Sequence, residues 1–311
     1  MEAILKREAR ELWPYDEKGL PRAVEAPVAA VAGPPSEVAY LEMDGVVPMT
    51  REEKHGAELS AADKARQRRA KKAKARGGRG RKYRLVGREV KNAVLYDGAD
   101  CAQESPSRGC LLDKHYVSHL GDWRQFGEMV WAALSAGGLA RAKKLVVIGD
   151  GAEWIRSVSE SFPVPTLLIL DLFHAKHRIW AVANLLHGEH SPTASAWAHR
   201  QCDRVEAGKA VEVIEALRFL GPARKDAREA VAQLTTYLSN HLDRMDYPSY
   251  RAQGLRVTSG IVESANFHVT GARLKLQGMR WSEQGAREMA YLRADLFNGS
   301  WEARSRQLLA A

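Results

Sequence analysis

Three acidic residues that lie far apart in the chain carry its strongest chemical signal. Asp44 and Asp150 each follow an apolar run and precede a glycine, and Glu263 lies in a segment rich in arginine and lysine. A buried strand presents the residue at its carboxyl end to a crevice, where acids from distant positions can meet. Carboxylate oxygens are the ligands that Mg²⁺ prefers, together with water and substrate phosphate. The set therefore predicts a metal site that works beside a phosphate backbone.

Each acid, taken singly, also has a simpler interpretation. An Asp-Gly pair after a strand commonly forms only a turn, in which the aspartate bonds to its own backbone and the glycine supplies a positive φ. Asp171 also ends an apolar run, 167–170, so it competes with Asp150 as the second ligand. The prediction of a metal site therefore depends on the set of acids and not on any single one.

Four motifs, in order along the chain, resemble those of a known family. They are Met43-Asp44-Gly45 followed by Val47-Pro48-Met49; Gly149-Asp150-Gly151-Ala152-Glu153-Trp154-Ile155; Leu170-Asp171-Leu172-Phe173-His174-Ala175; and the block that runs from Tyr250-Arg251 through Gly260-Ile261-Val262-Glu263 to Arg280-Trp281-Ser282. In these motifs, which span most of residues 38–301, the chain resembles the DDE-type transposases of bacterial insertion sequences, in particular the Kra-type branch related to Mutator-like transposases. The resemblance implies an α/β, ribonuclease H-like fold with a helical insertion before the last acid.

The same resemblance implies the site and its cofactor. Asp44, Asp150 and Glu263 are expected to be the catalytic, metal-binding triad, holding two Mg²⁺ or Mn²⁺ ions. Asp171 and His174 match the Cys/Asp-x-x-His motif that follows the second acid in Mutator-like relatives, so they are expected to be accessory residues beside the triad. Asp150 ranks before Asp171 as second ligand because its Asp-Gly pair leads a helix and lies one strand earlier, as in the relatives. For His174, a capping or packing role is the alternative.

The activity implied is DNA strand cleavage followed by strand transfer, in transposition of an insertion sequence. The expected partners are the DNA of the element's ends, target DNA and further copies of this chain bound on that DNA. Relatives carry a sizeable region before the first acid for recognising the element's ends, whereas 43 residues precede Asp44. The recognition region is therefore expected to be missing. Two alternatives stay open: an inactive or domesticated remnant that only binds nucleic acid, and a ribonuclease H-like nuclease without strand transfer.

Basic residues are concentrated in one segment. Twelve lysines and arginines and no acid lie between Lys64 and Arg84, in a chain with a net charge of +9. Such a run binds phosphates without sequence choice, although a solvated loop is the alternative. The predicted DNA contacts are Arg68, Arg69, Lys71 and Lys72 in this run, and Arg273, Lys275, Arg280 and Trp281 after Glu263. Trp281 either stacks on an unpaired base or packs in the core.

The elements that position these residues follow an alternating α/β pattern. Strands are predicted at 38–44, 89–96, 144–149 and 166–170, and helices at 123–135, from 152, from 174 and throughout 192–242. Ser259 is the predicted N-cap of the helix that carries Glu263. The predicted regions are an N-terminal helix and Pro/Ala linker at 1–37, the core at 38–190 with a disordered basic loop at about 52–86, the helical insertion at 191–250, and C-terminal helices at 251–311.

Composition sets the remaining expectations. With 311 residues, of which 45% are hydrophobic, the chain buries a substantial core. It has no apolar run of about 18 residues and no signal peptide at its start, so no membrane association is expected. Three cysteines make no disulfide framework. The chain is expected to be cytoplasmic and, through its DNA partner, associated with the nucleoid.

Overall fold

The chain folds around a mixed five-stranded sheet that is covered by helices. The structure is a computed structural model, and it describes residues 34–53, 69, 83–105, 108–222 and 224–300. The strands are β1 (Val38–Val46), β2 (Met49–Glu53), β3 (Tyr83–Gly87), β4 (Val90–Asp97), β5 (Cys101–Ser105), β6 (Arg108–Leu111), β7 (His115–Leu120), β8 (Lys144–Gly149), β9 (Thr166–Leu170) and β10 (Trp281–Ser282). The helices are α1 (Trp123–Ala136), α2 (Glu153–Ser161), α3 (Leu172–His187), α4 (Pro192–Glu206), α5 (Ala210–Arg218), α6 (Lys225–Asn240), α7 (Tyr247–Ala252), α8 (Gly260–Ala265), α9 (Ala272–Leu274) and α10 (Glu283–Phe297), with a π-helical turn at Asn266–Gly271 between α8 and α9.

The central sheet has the strand order β7-β4-β1-β8-β9. Strands β7, β4 and β1 pair antiparallel, whereas β1, β8 and β9 run parallel. Two smaller sheets flank it, β10-β2-β3 and β5-β6. Because β1, β8 and β9 are parallel, their carboxyl ends lie on the same edge of the sheet.

Alternation along β1 divides the core into two layers. Ala39, Leu41 and Met43 are fully buried against one cluster, which includes the apolar stripe of α1. Tyr40 points to the opposite face, into the cluster shared with α3. Side chains of a strand alternate between the two faces of its sheet, so Glu42 and Asp44 share the face of Tyr40.

The helical insertion packs on that second face. Helices α4, α5 and α6 contribute buried residues such as Val205, Val213 and Leu234 to the same hydrophobic cluster as strand residues of the sheet. Residues next to α4 in the sequence cap its start. The side chain of Ser191 accepts a hydrogen bond from Ala194 N–H, and Pro192 occupies the first turn. The insertion therefore shares its core with the sheet.

The structure confirms most of the predicted elements. Strands β8 and β9 and helix α1 agree with the predictions to within one residue, and Phe126, Val130 and Leu134 form the buried stripe of α1. The predicted insertion is helical throughout most of its length. In the described residues, no helix has the length and apolar character that crossing a membrane requires.

Two expectations about elements were wrong. The basic loop does not extend over 52–86, because Glu52, Glu53 and residues 83–86 belong to the paired strands β2 and β3. Strand β1 continues through Gly45 to Val46, so Asp44 does not end it. The sequence analysis also did not identify β7, the β5-β6 hairpin or β10. The predicted N-terminal helix and linker lie outside the described residues, except for residues 34–37.

Candidate active site at the carboxyl edge of the sheet

The register of the parallel strands aligns three aspartates. Met43 lies opposite Gly149 in the β1-β8 pair, and Gly149 lies opposite Leu170 in the β8-β9 pair. The next residues, Asp44, Asp150 and Asp171, are therefore level on neighbouring strands, which are about 4.8 Å apart. Hydrogen bonding between strands brings together residues that are more than 100 positions apart in the sequence.

Asp44 lies inside β1, paired with Asn92 of β4, so the turn interpretation does not apply to it. Its Oδ1 accepts the N–H of Gly45 at 2.7 Å, and its Oδ2 accepts the side-chain amide of Asn266. The pKa of Asp44 is raised to about 6. Burial is the largest cause; the hydrogen bond from Gly45 opposes it, and the negative charges of Asp150 and Glu263 add to it.

Asp150 follows β8 directly and does form a turn. Its Oδ1 accepts the N–H of Ala152 at 2.9 Å, and Gly151 has a φ of 93°. Tyr237 of the insertion donates its hydroxyl to the backbone carbonyl of Asp150 at 2.7 Å. The turn interpretation and the site interpretation are therefore compatible. Asp150 is level with Asp44 on the neighbouring strand, and its side chain also bonds within its own turn.

Glu263 approaches the two aspartates from α8, and its side chain is half exposed. The short helix is held to β1 by Glu42, whose Oε2 accepts the backbone N–H groups of Ile261 and Val262, both at 3.0 Å. A helix start has free N–H groups and favours negative charge, so a buried carboxylate fits there. Strand β1 thus supplies both the first acid and the anchor of the helix that carries the last.

Glu42 was not among the predicted residues. It is fully buried, and Tyr96 donates its hydroxyl to Oε1 at 2.7 Å. Burial raises its pKa to about 6, against the hydrogen bonds from Tyr96 and Val262 and the charge of Arg256. The alternation of β1, with Glu42 two residues before Asp44, is the signal that could have identified it.

Asp171 is fully buried, and its oxygens are occupied by structural hydrogen bonds. Oδ1 accepts the N–H groups of Phe173 and His174 at the start of α3, and Oδ2 accepts both the backbone N–H, at 2.7 Å, and the hydroxyl of Ser259. Burial opposes ionisation, but the bonds from His174 and Ser259 outweigh it and lower the pKa. Ser259 does occupy the predicted cap position, yet it makes no side-chain cap bond because its hydroxyl is directed to Asp171.

His174 stands between these groups. Its Nδ1 lies 3.5 Å from Oδ2 of Asp171 and 3.9 Å from Oε1 of Glu263, and the carboxylate of Asp171 is the largest cause of its raised pKa. Ligand atoms of Asp171, His174 and Glu263 lie within 4.8 Å of one another. Among the residues that the structure describes, this close group includes Asp171 and neither Asp44 nor Asp150, although the oxygens of Asp171 already accept four hydrogen bonds.

A buried polar network supports Asp44 from behind. Asn92 Nδ2 donates to Asn266 Oδ1 at 2.6 Å, and Asn92 Oδ1 accepts from Ser118 Oγ at 2.6 Å and from Thr270 Oγ1 at 2.9 Å. Asn266, which bonds to Asp44, lies three residues after Glu263 and therefore on the same side of the helical segment. The network links Asp44 to the helical segment that follows Glu263, and the sequence analysis did not identify it.

The donor set suits a hard divalent cation. Asp44, Asp150 and Glu263 offer carboxylate oxygens, which Mg²⁺ and Mn²⁺ prefer, and His174 adds an imidazole that Mn²⁺ accepts. The pKa of Asp44 is raised first by burial and then by repulsion from the negative charges of Asp150 and Glu263. A bound cation would offset that repulsion, so the residues fit the expected metal.

The predicted DNA contacts fall in several places. Arg273 and Lys275 are exposed in the segment after Glu263, and Arg280 is half-buried. Trp281 packs against a cluster that includes Val90 and Leu274, which favours the core alternative for it. In the basic run Arg69 is exposed; the remaining predicted residues of that run, Arg68, Lys71 and Lys72, lie outside the described residues.

Comparison with known proteins identifies a family and reports only slight likeness to a solved structure. No curated protein matches the chain. Among the solved structures that match is the Drosophila P element transposase strand transfer complex, with 9% identity, a TM-score of 0.24, and coverage of 90% of this chain and 68% of that chain. A likeness of that size does not define the fold. The sequence model described as "Uncharacterised protein family (UPF0236)" matches residues 87–307, which include Asp150 and Glu263 but not Asp44. Because that match covers more than half of the chain, the protein belongs to the UPF0236 family.

Proposed function

We propose that this protein is a DNA transposase of the DDE type, which cleaves DNA strands and joins them by metal-dependent phosphoryl transfer. The observation that supports it best is that β1 and β8 align Asp44 with Asp150 at one edge of the sheet, with Glu263 near enough to raise the pKa of Asp44. The proposal includes a ribonuclease H-like core of the Kra-type branch, which the mixed sheet and the helical insertion before Glu263 support. It also includes DNA ends and target DNA as partners, bound by several copies of the chain.

In this proposal the acids hold two Mg²⁺ or Mn²⁺ ions. When bound, such ions supply Lewis-acid activation of the attacking and leaving oxygens of a phosphodiester. The protein's own residues do the positioning. Glu42 and Asn266 fix the helical segment of Glu263 against β1, and His174 lies 3.9 Å from the Glu263 carboxylate, so these residues would position the last acid.

The test is cleavage of labelled duplex and single-stranded DNA by the purified chain with Mg²⁺ or Mn²⁺. Glu263→Gln should bind DNA as the wild type does and produce neither nicks nor joined strands. Glu212→Gln is the matched control, because Glu212 is exposed on α5 in the insertion and has only a distant ion pair with Lys209. Thermal shift with Mn²⁺ reports metal binding independently of cleavage.

Each outcome separates the candidates. Metal-dependent nicks and joined products that disappear in Glu263→Gln support the transposase. Nicks without joined products favour a nuclease. Equal binding by both proteins without any cleavage favours the nucleic-acid-binding remnant, and retained cleavage in Glu263→Gln removes Glu263 from the active site.

A further inference from the structure

A groove runs along the first turns of α3 beside the acidic site. Its lining residues are Phe173, His174, Lys176, His177, Trp180 and Glu263, and its volume is about 410 Å³. Phe173, His177 and Trp180 are spaced by four and three residues, so they project from one face of the helix. The groove therefore has aromatic groups along its length and a site carboxylate at its edge.

Phe173 is not packed into the core, although it lies at the start of a helix whose first residues are buried. Its neighbours Asp171 and Leu172 are buried, yet Phe173 is 57% exposed. Asp171 accepts its backbone N–H, which fixes the start of α3 and hence the place of the ring. The adjacent residue, His174, contacts Glu263 through Nδ1 at 3.9 Å. An exposed ring is thus attached to a fixed backbone position and lines the same groove as the last acid.

The charges around Lys176 favour an anionic group on that side of the groove, while Glu263 lines the groove as an acid. Lys176 pairs with Glu206, and the same carboxylate pairs with Arg251 Nη2 at 2.6 Å. Two cations share one anion, so this wall keeps a net positive charge. Exposed His177 adds a ring N–H donor. A planar ring system attached to a phosphate matches both the aromatic and the basic groups.

Nucleobases are such ring systems, and they stack on protein aromatic side chains with little dependence on sequence. A paired base cannot reach a ring that lies in a groove, because both its faces are stacked inside the duplex. We propose that the α3 groove binds an unpaired nucleobase next to the phosphate held at the acids, with Phe173 as its stacking platform. This inference rests on the proposed function, since it names the form of DNA that the same site takes.

The experiment measures DNA binding by the full chain in Ca²⁺, with duplexes that carry 2-aminopurine either in an unpaired end or in a fully paired position. Phe173→Ala should weaken binding to the unpaired end by about 5- to 150-fold, which corresponds to the roughly 1–3 kcal/mol of one base stacked on an aromatic ring. Affinity for the fully paired duplex should not change. Phe173→Tyr retains the ring and should bind as the wild type does, whereas Phe173→Leu retains only apolar volume and should not.

The matched control is Phe219→Ala. Phe219 is 90% exposed at the end of α5 and does not line the groove. Equal unpaired-end affinities for Phe173→Ala and Phe219→Ala, or no preference of the wild type for unpaired ends, would overturn the inference. If the wild type cleaves DNA but Phe173→Ala binds normally, only this inference fails. If the wild type never cleaves DNA, but Phe173→Ala still binds the unpaired end more weakly than the wild type, the groove inference holds and the proposed function fails.

Discussion

Replacing Asp44 by asparagine is expected to stabilise the metal-free protein while removing its response to metal. The Asp44 carboxylate is partly buried near Asp150 and Glu263, and its pKa is raised from 3.8 to about 6. The ionised form is therefore disfavoured in the folded state. Asparagine has a similar shape and no charge, so it relieves both the burial penalty and the repulsion.

The expected change in the free energy of unfolding follows from the pKa shift of Asp44. A rise of about 2 pKa units corresponds to roughly 3 kcal/mol of destabilisation by the ionised carboxylate. Because the folded pKa is raised, this penalty is complete above about pH 6 and disappears as the pH falls below 3.8. Weaker hydrogen bonds from Gly45 and Asn266 to a neutral amide offset about 1–2 kcal/mol of the gain. The net gain at pH 8 is about 1–2 kcal/mol, or roughly 1.5–3 °C in Tm for a chain of this length.

The assay is thermal and urea unfolding in EDTA between pH 4.5 and pH 8, repeated with Mn²⁺. The stability of Asp44→Asn should exceed that of the wild type most at pH 8, and the difference in stability should shrink towards pH 4.5. Mn²⁺ should stabilise the wild type but not the variant. Asp203→Asn, at an exposed position of α4, is the control and should change little. A variant less stable than the wild type at pH 8 in EDTA would refute the reasoning.

Three further substitutions test the groups around the acids. Glu42→Ala should lower the free energy of unfolding in urea by about 3 kcal/mol or more, because the Tyr96 hydroxyl and two helix N–H groups lose their buried acceptor; a loss below about 1 kcal/mol would contradict that role. Asn266→Ala should weaken Mn²⁺ binding in calorimetry by about 10-fold, as removal of a group that orients a metal ligand does, and unchanged affinity would exclude it as a positioning residue. Asp171→Asn should lower Tm yet leave Mn²⁺ affinity within about 3-fold if its role is structural, whereas a complete loss of binding in a folded variant would make Asp171 the second ligand.

Local patterns were sufficient for much of the fold. Strands β8 and β9 are buried and parallel, and such strands appear in sequence as continuous apolar runs with a clear start and end. Helix α1 shows its buried stripe at helical spacing because one face packs on the sheet. These signals depend only on neighbouring residues, so they can be recognised without knowledge of the partners.

Strands without a clear apolar run of their own were not recognised. Strand β10 is two residues long and pairs with β2, which lies more than 200 positions earlier. Strand β7 follows a loop and pairs with β4 through a register that its own composition does not specify. The position of Asp44 inside β1 was also missed, since the pairing of Gly45 and Val46 with β4 decides where that strand ends.

The sequence by itself determined which acids to consider, because Asp44, Asp150 and Glu263 stand in motifs and beside apolar runs that are visible along the chain. Only the tertiary structure decided what surrounds them. The register of β1 with β8 aligns two of the acids, and Glu42 anchors the helix of the third. The oxygens of Asp171 accept hydrogen bonds from the start of α3 and from Ser259. The physical reason is that hydrogen-bond and charge partners are chosen by proximity in space, and residues that are 88 to 222 positions apart become neighbours only after the chain has folded.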